Sequence, residues 1–228
     1  MYPPGMAQTQ HAFLQFAIDS GVLRFGRFQT KAGRSSPYFF NAGLFYSGGL
    51  LGRLAGFYAE TLQAAQAERG LSVDLLFGPA YKGITLASAT AVAMAARGQD
   101  LPFAFNRKEA KGHGEGGLMV GAPIQGRVLI IDDVISAGTS VRESVAMIRA
   151  EGAEPCGVLI ALDRMERGGT AEAPTAHSAV QETEQAFGIP VFAIAGLTDL
   201  LELLRTSQSA ELQQHAQAVS DYRERWGA

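Results

Sequence analysis

The stretch Val128-Leu129-Ile130-Ile131-Asp132-Asp133-Val134-Ile135-Ser136-Ala137-Gly138-Thr139-Ser140 decides how the rest of the chain is read. Four apolar residues in a row, with no polar alternation, are the pattern of a central parallel strand covered on both faces. That strand delivers two adjacent carboxylates, Asp132 and Asp133, to the edge of a sheet, and a loop of small, hydroxylated residues leads on into a helix over residues 139–150. The backbone N–H groups at a helix start lack intrahelical partners and carry partial positive charge, so a phosphate can settle there beside the hydroxyls of Ser136, Thr139 and Ser140. Gly138 lets the backbone approach closely. Carboxylates only accept hydrogen bonds, so Asp132 and Asp133 suit the hydroxyls of a ribose better than they suit the phosphate. The plainer alternative is a Ser140/Glu143 capping box at the end of an ordinary strand. The whole run is more specific than a capping box, and it reads as a sugar-phosphate site.

Outward from this stretch, short apolar runs alternate with helical segments: strands at 73–77, 102–106, 127–132 and 155–162, helices at 84–97 and 139–150. This repetition predicts an α/β fold with a mostly parallel sheet flanked by helices, and it places the site beyond the carboxyl ends of the strands. Upstream, residues 11–20 and 49–69 have helical spacing, and 22–29 and 37–41 read as strands of a small flanking sheet. Residues 107–117 and 168–179 read as long loops, and the tail at 210–226 as one helix.

The chain has 228 residues, enough to bury a core in one domain, and its 47% hydrophobic and 18% charged composition is that of a folded, water-soluble protein. A net charge of -3 gives no general attraction to nucleic acid or to an anionic membrane, so any anion site must be local. The one cysteine, Cys156, cannot pair within the chain, which fits a reducing cytoplasm. No stretch approaches the roughly 18 apolar residues of a membrane span.

Local charge is concentrated in one place. Arg107, Lys108 and Lys111 put three cations within five positions, followed by His113 and four glycines. Alone this is a solvated loop, but beside a phosphate site it offers the positive charge a departing diphosphate needs. The spacing Gly112-x-Gly114-x-x-Gly117 also fits a dinucleotide fingerprint, but that fingerprint must join a strand directly to a helix, and here charged residues precede it and a proline-containing segment follows. A second loop, Gly78-Pro-Ala-Tyr-Lys-Gly83, follows an apolar strand and opens a helix, which puts it at the same sheet edge.

Residues 130–140 resemble the phosphoribosyl diphosphate signature of the type I phosphoribosyltransferases. Ser36-Pro-Tyr-Phe-Phe-Asn-Ala-Gly43, Gly78-Pro-Ala-Tyr-Lys-Gly83 and Phe105-Asn-Arg-Lys-Glu-Ala-Lys-Gly-His-Gly-Glu-Gly-Gly117 resemble the orotate-using branch of that family. The likeness runs from about residue 13 to residue 226. It implies one domain over 1–228, in which about 20–48 form a small hood that helps bind the base. The implied reaction transfers the phosphoribosyl group from phosphoribosyl diphosphate to N1 of orotate in pyrimidine biosynthesis.

By the same resemblance the activated sugar is contacted by Lys31, Tyr81, Lys82, Arg107, Lys108, Lys111, His113, Asp132, Asp133, Val134, Ile135, Ser136, Ala137, Gly138, Thr139 and Ser140. Lys108, Lys111, His113 and Asp133 take the catalytic roles. The 107–117 segment is implied to be a lid shared across a homodimer, Lys108 and His113 serving their own site while Arg107 and Lys111 cross to the neighbour. Orotate is implied to meet Phe39, Phe40, Ser136 and Arg164, although two adjacent phenylalanines in a strand ordinarily put at least one ring into a core. The family often has Thr where this chain has Ser136, and the hydroxyl is kept. Mg2+ is the expected cofactor, held mainly by substrate and water with no protein cage. Neither nucleic acid nor membrane is expected as a partner. Two rivals stay open at this point: transfer to a purine or another base, and a non-catalytic sensor of the activated sugar.

Overall fold

The computed structural model describes residues 4–111 and 117–228. Its centre is a six-stranded sheet in the order β10-β7-β6-β3-β4-β5, formed by β3 (Leu75–Gly78), β4 (Phe103–Lys111), β5 (Gly117–Gly121), β6 (Arg127–Asp132), β7 (Glu154–Asp163) and β10 (Val191–Gly196). Five strands are parallel, and β5 runs antiparallel at one edge. The uninterrupted apolar run of β6 has a direct cause. Leu129 and Ile131 point into one core with α1 (Pro4–Asp19), α2 (Gly48–Arg69), α3 (Lys82–Ala95) and α6 (Leu197–Thr206), while Val128 and Ile130 point into a second with Val141, Val145 and Ile148 of α4 (Thr139–Ala150). All four are fully buried, each favoured by roughly 1.5–3 kcal/mol over exposure.

The helices follow local signals. Ser47 caps α2 by accepting from the Leu50 N–H, and Gly70 ends it in the left-handed conformation at φ 64°. Strands β1 (Leu23–Gln29) and β2 (Ser35–Phe40) form a separate antiparallel hairpin, as their alternation predicts. It packs against α1 and against α8 (Ala216–Trp226).

Three expectations are corrected. Residues 107–117 are not simply a loop: β4 continues to Lys111 and pairs antiparallel with β5, leaving 112–116 outside the described residues. This arm is polar and lacks apolar alternation, so only backbone pairing reveals it. The 168–179 stretch is likewise built, with β8 (Arg167–Gly169) and β9 (Pro174–Ser178) forming a hairpin, and Ser178 and Gln181 making the capping box of α5 (Ala179–Phe187). The tail is two helices, α7 (Ala210–Gln213) and α8, because the chain turns near His215, whose ring stacks on Phe25 at 4.6 Å while Val219 and Tyr222 are buried. Strand β10 and helices α5 and α6 are elements that the sequence reading leaves unassigned.

The order of strands positions the site. From β3 the chain goes to β4 on one side, then returns to place β6 on the other, so the order in which strands are added reverses between β3 and β6. In open α/β sheets the crevice beyond such a reversal, at the carboxyl ends of the strands, is where ligands bind.

Candidate active site

Two loops meet at that crevice. Gly78 and Gly83 allow it: a Cβ on Gly83 would lie 2.5 Å from Pro79 Cδ and 2.9 Å from the Ile131 carbonyl oxygen, so only glycine lets the first turn of α3 press against the end of β6. The close approach brings Lys82 Nζ within 2.6 Å of Asp133 Oδ2, an ion pair in which the carboxylate is buried and the ammonium half-exposed. Asp132 beside it accepts the Asp133 N–H at Oδ1 (2.9 Å) and the Ser140 hydroxyl at Oδ2 (3.0 Å).

Ser140 thus turns towards Asp132, and the capping-box alternative is not what forms. The N-cap of α4 is Gly138, at φ 67°, and no side chain caps it. The helix start therefore keeps the character the sequence suggested, a cluster of backbone donors with exposed Ser136, Ala137 and Thr139 around it. Val134 is half-buried and Ile135 buried in the second core, so these two brace the loop with their side chains.

Asp132 is 8% and Asp133 7% exposed, close together in a poorly solvated place. Burial, and then the neighbouring Asp133 charge, push the Asp132 pKa up to about 6, against the Asp133 N–H and Ser140 hydroxyl, which pull it down. Beneath them, the fully buried Tyr58 of α2 donates its hydroxyl to the Asp132 carbonyl at 2.7 Å, fixing the point where β6 ends. No sequence signal marks Tyr58, which reads as one more apolar position on the α2 stripe.

A cleft of about 700 Å³ opens between the loop after β3, the β4 arm and α4, lined in part by Pro79, Asn106, Arg107, Lys108, Thr139 and Ser140. Lys108 Nζ stands 5.1 Å from the centroid of the Tyr81 ring, which is largely exposed. Asn106 opens the basic segment, and its sequence context gives it no role. Its Oδ1 accepts the Ala80 N–H at 2.9 Å and so ties the Tyr81 loop to β4. Lys111 ends β4, and the expectation for His113 lies outside the described residues. Lys31 sits in the exposed turn between β1 and β2.

The residues expected to meet the base divide. Phe40 is buried in the first core, its ring 6.3 Å from that of Phe13, while Phe39 faces the other side of the hairpin and stacks on Phe28 at 5.4 Å. Arg164 follows directly on β7, the neighbour of β6, which places it at the same sheet edge as Asp132. Its Nε and Nη2 donate to Glu166 Oε1 at 2.9 and 2.6 Å, and Nη2 also reaches Ser36 Oγ at 3.3 Å.

Comparison with known proteins agrees with this arrangement. The family model for the phosphoribosyl transferase domain matches residues 53–190, from α2 through both loops of the crevice. The chain is 64% identical to the orotate phosphoribosyltransferase of Herminiimonas arsenicoxydans over 97% of its own length and 99% of that protein. It is 63% identical to that of Cupriavidus necator, over 99% and 97%. A crystal structure of orotate phosphoribosyltransferase from Francisella tularensis superposes with a TM-score of 0.81 at 36% identity, covering 95% of this chain and 100% of that one. Identity at this level, over the crevice, the hairpin and the tail together, makes the chain a member of the orotate phosphoribosyltransferase family.

Proposed function

We propose that the crevice between β3 and β6 binds phosphoribosyl diphosphate and transfers its phosphoribosyl group to N1 of orotate, giving orotidine monophosphate and diphosphate. The observation that carries this reading is the meeting of the Asp132–Asp133 pair, Lys82 and the uncapped start of α4 at one sheet edge. The 5-phosphate rests on the α4 N-terminus with Ser136 and Thr139, and the two carboxylates accept from the ribose hydroxyls. As the bond from the anomeric carbon to the diphosphate breaks, the ribose becomes cation-like and negative charge gathers on the leaving group. Lys82, Lys108 and the lid cations Arg107 and Lys111 meet that charge, and a contact strengthened only in the transition state is worth about 100-fold to 1,000-fold in rate.

The donors at the crevice are carboxylates and hydroxyls, and among the described residues no group of three His, Cys, Asp or Glu forms a metal cage. Oxygen donors of this kind suit Mg2+ arriving with the diphosphate, Asp132 and Asp133 being the protein groups placed to hold its ligands. Bound there, the ion would supply charge neutralisation at the leaving group.

Orotate is read to lie between the hood and Arg164, whose forked donors suit its oxygen acceptors. Residues 107–117 are read as a lid shared between the subunits of a homodimer, and 20–48 as the hood of a single domain. No described helix is long and apolar enough to cross a membrane. The chain's one cysteine, Cys156, cannot pair within the chain, and the cytoplasm is the compartment this reading favours.

The direct test follows orotate absorbance after adding phosphoribosyl diphosphate and Mg2+. A fall that needs both additions supports the reading, and a steady signal with properly folded protein rejects it. A panel of purine bases run in parallel separates transfer to orotate from transfer to another base.

A further inference from the structure

We propose that Glu166 is a positioning residue for the base pocket, holding Arg164 in place and coupling it to the hood. The inference rests on the reading of Arg164 as a base contact. Glu166 shares its two oxygens between two arginines from distant parts of the chain. Oε1 takes Nε and Nη2 of Arg164 at 2.9 and 2.6 Å, and Oε2 stands 4.0 Å from Arg34 Nη1. The Tyr38 hydroxyl also donates to Oε1, at 3.3 Å, and burial above all holds that hydroxyl in its protonated, donating form.

Arg34 is itself nearly inaccessible. Its Nη1 donates to the Arg167 carbonyl at 2.6 Å, its Nη2 to the carbonyls of Gly168 (2.9 Å) and Thr170 (3.4 Å), and its guanidinium lies 4.7 Å from the centroid of the Trp226 ring. Arg34 belongs to the turn between β1 and β2, Ser36 and Tyr38 to β2, Arg164 and Glu166 to the segment between β7 and β8, and Trp226 to α8. One carboxylate therefore sits where hood, sheet and tail converge. The β8–β9 hairpin acquires a role here, since its carbonyls hold Arg34.

Two consequences follow. A long arginine side chain that must be ordered by its ligand binds weakly, whereas one already fixed by a buried carboxylate on one edge keeps its remaining donors aimed. The cluster also contains two guanidiniums against one carboxylate, a surplus positive charge in a poorly solvated place, and the carboxylate of orotate is of the sign to balance it. Preference for an anionic base is thereby supported by Arg34 as well as by the residue that touches it, while Glu166 fixes where the donors of Arg164 point.

The test compares steady-state constants of Arg164→Ala, Glu166→Gln and Ser36→Ala. Expected is a KM for orotate raised by about 100-fold in the first, roughly tenfold in the second and about threefold in the third, with KM for phosphoribosyl diphosphate within about twofold throughout. An unchanged orotate KM in Arg164→Ala overturns the base-contact reading and with it this inference. A raised orotate KM in Arg164→Ala together with an unchanged one in folded Glu166→Gln, or equal rises for both substrates, overturns the positioning role alone. Should Glu166→Gln fail to fold, Ser36→Ala decides, since it removes the second acceptor of Arg164 Nη2, together with the hydroxyl's bonds to the Tyr38 backbone, and leaves Glu166 in place. An orotate KM unchanged there overturns the proposal.

Discussion

Lys82 Nζ donates to Asp133 Oδ2 at 2.6 Å, joining the loop after β3 to the loop after β6 across the point where the strand order reverses. The carboxylate is buried and the ammonium half-exposed, so the pair orients Asp133 while leaving Lys82 open to a ligand's phosphates. Asp133→Asn keeps the shape and removes the charge. The expected result is a fall of about 100-fold in kcat/KM for phosphoribosyl diphosphate with little loss of thermal stability, measured by steady-state kinetics and a melting curve. Turnover within a few-fold of wild type would show that this pair only braces the loop.

Asp132 makes activity depend on pH. Its pKa is raised to about 6, and it offers both oxygens as acceptors only when ionised, so kcat/KM is expected to fall as pH drops through about 6. The stability effect has the opposite sign. A raised folded-state pKa means the folded protein binds the proton more tightly, so this contribution is fully present below the ordinary value of 3.8 and is lost as pH rises through about 6. Asp132→Asn, which can still accept the Asp133 N–H, is expected to raise the melting temperature at pH 7.5 by about 3 °C or more while abolishing most turnover. A lowered melting temperature would contradict the cost assigned to the buried charge.

Packing at the crevice predicts a contrast between two glycines. Gly83→Ala forces a Cβ against Pro79 and the Ile131 carbonyl, whereas Gly52→Ala, in α2, meets nothing within 4 Å. The first is expected to cost about 1–3 kcal/mol and to weaken binding of phosphoribosyl diphosphate by displacing Lys82. The second is expected to stabilise by up to about 1 kcal/mol, since alanine favours an exposed helix interior. Denaturant titration of both variants checks the sign of each.

The proposal that the lid is shared between subunits predicts complementation. Lys111→Ala is expected to lower kcat by about 100-fold with a smaller change in the KM for orotate. Mixing it with an inert Asp133→Ala protein should restore part of the activity as subunits exchange, because each mixed dimer carries one intact composite site. Absence of recovery despite demonstrated exchange would place each lid over its own site.

The chain alone determined the β6 strand, the paired acids and the small-residue loop into α4, because burial on both faces of a central strand leaves an unbroken apolar run and a phosphate cradle needs small residues next to one another in sequence. The arm at 107–111 and the hairpin at 167–178 escaped that reading because exposed strands carry no apolar alternation and are defined by backbone pairing. Only the tertiary structure decided which side chains answer one another. Lys82 meets Asp133 across 51 positions, Asn106 takes the Ala80 N–H across 26, and Arg164 reaches Ser36 across 128. No local pattern marks the roles of Tyr58 and Glu166. Their roles arise because the reversal of strand order and the fold-back of the hairpin bring remote segments to one poorly solvated edge, where each charge and donor needs a partner.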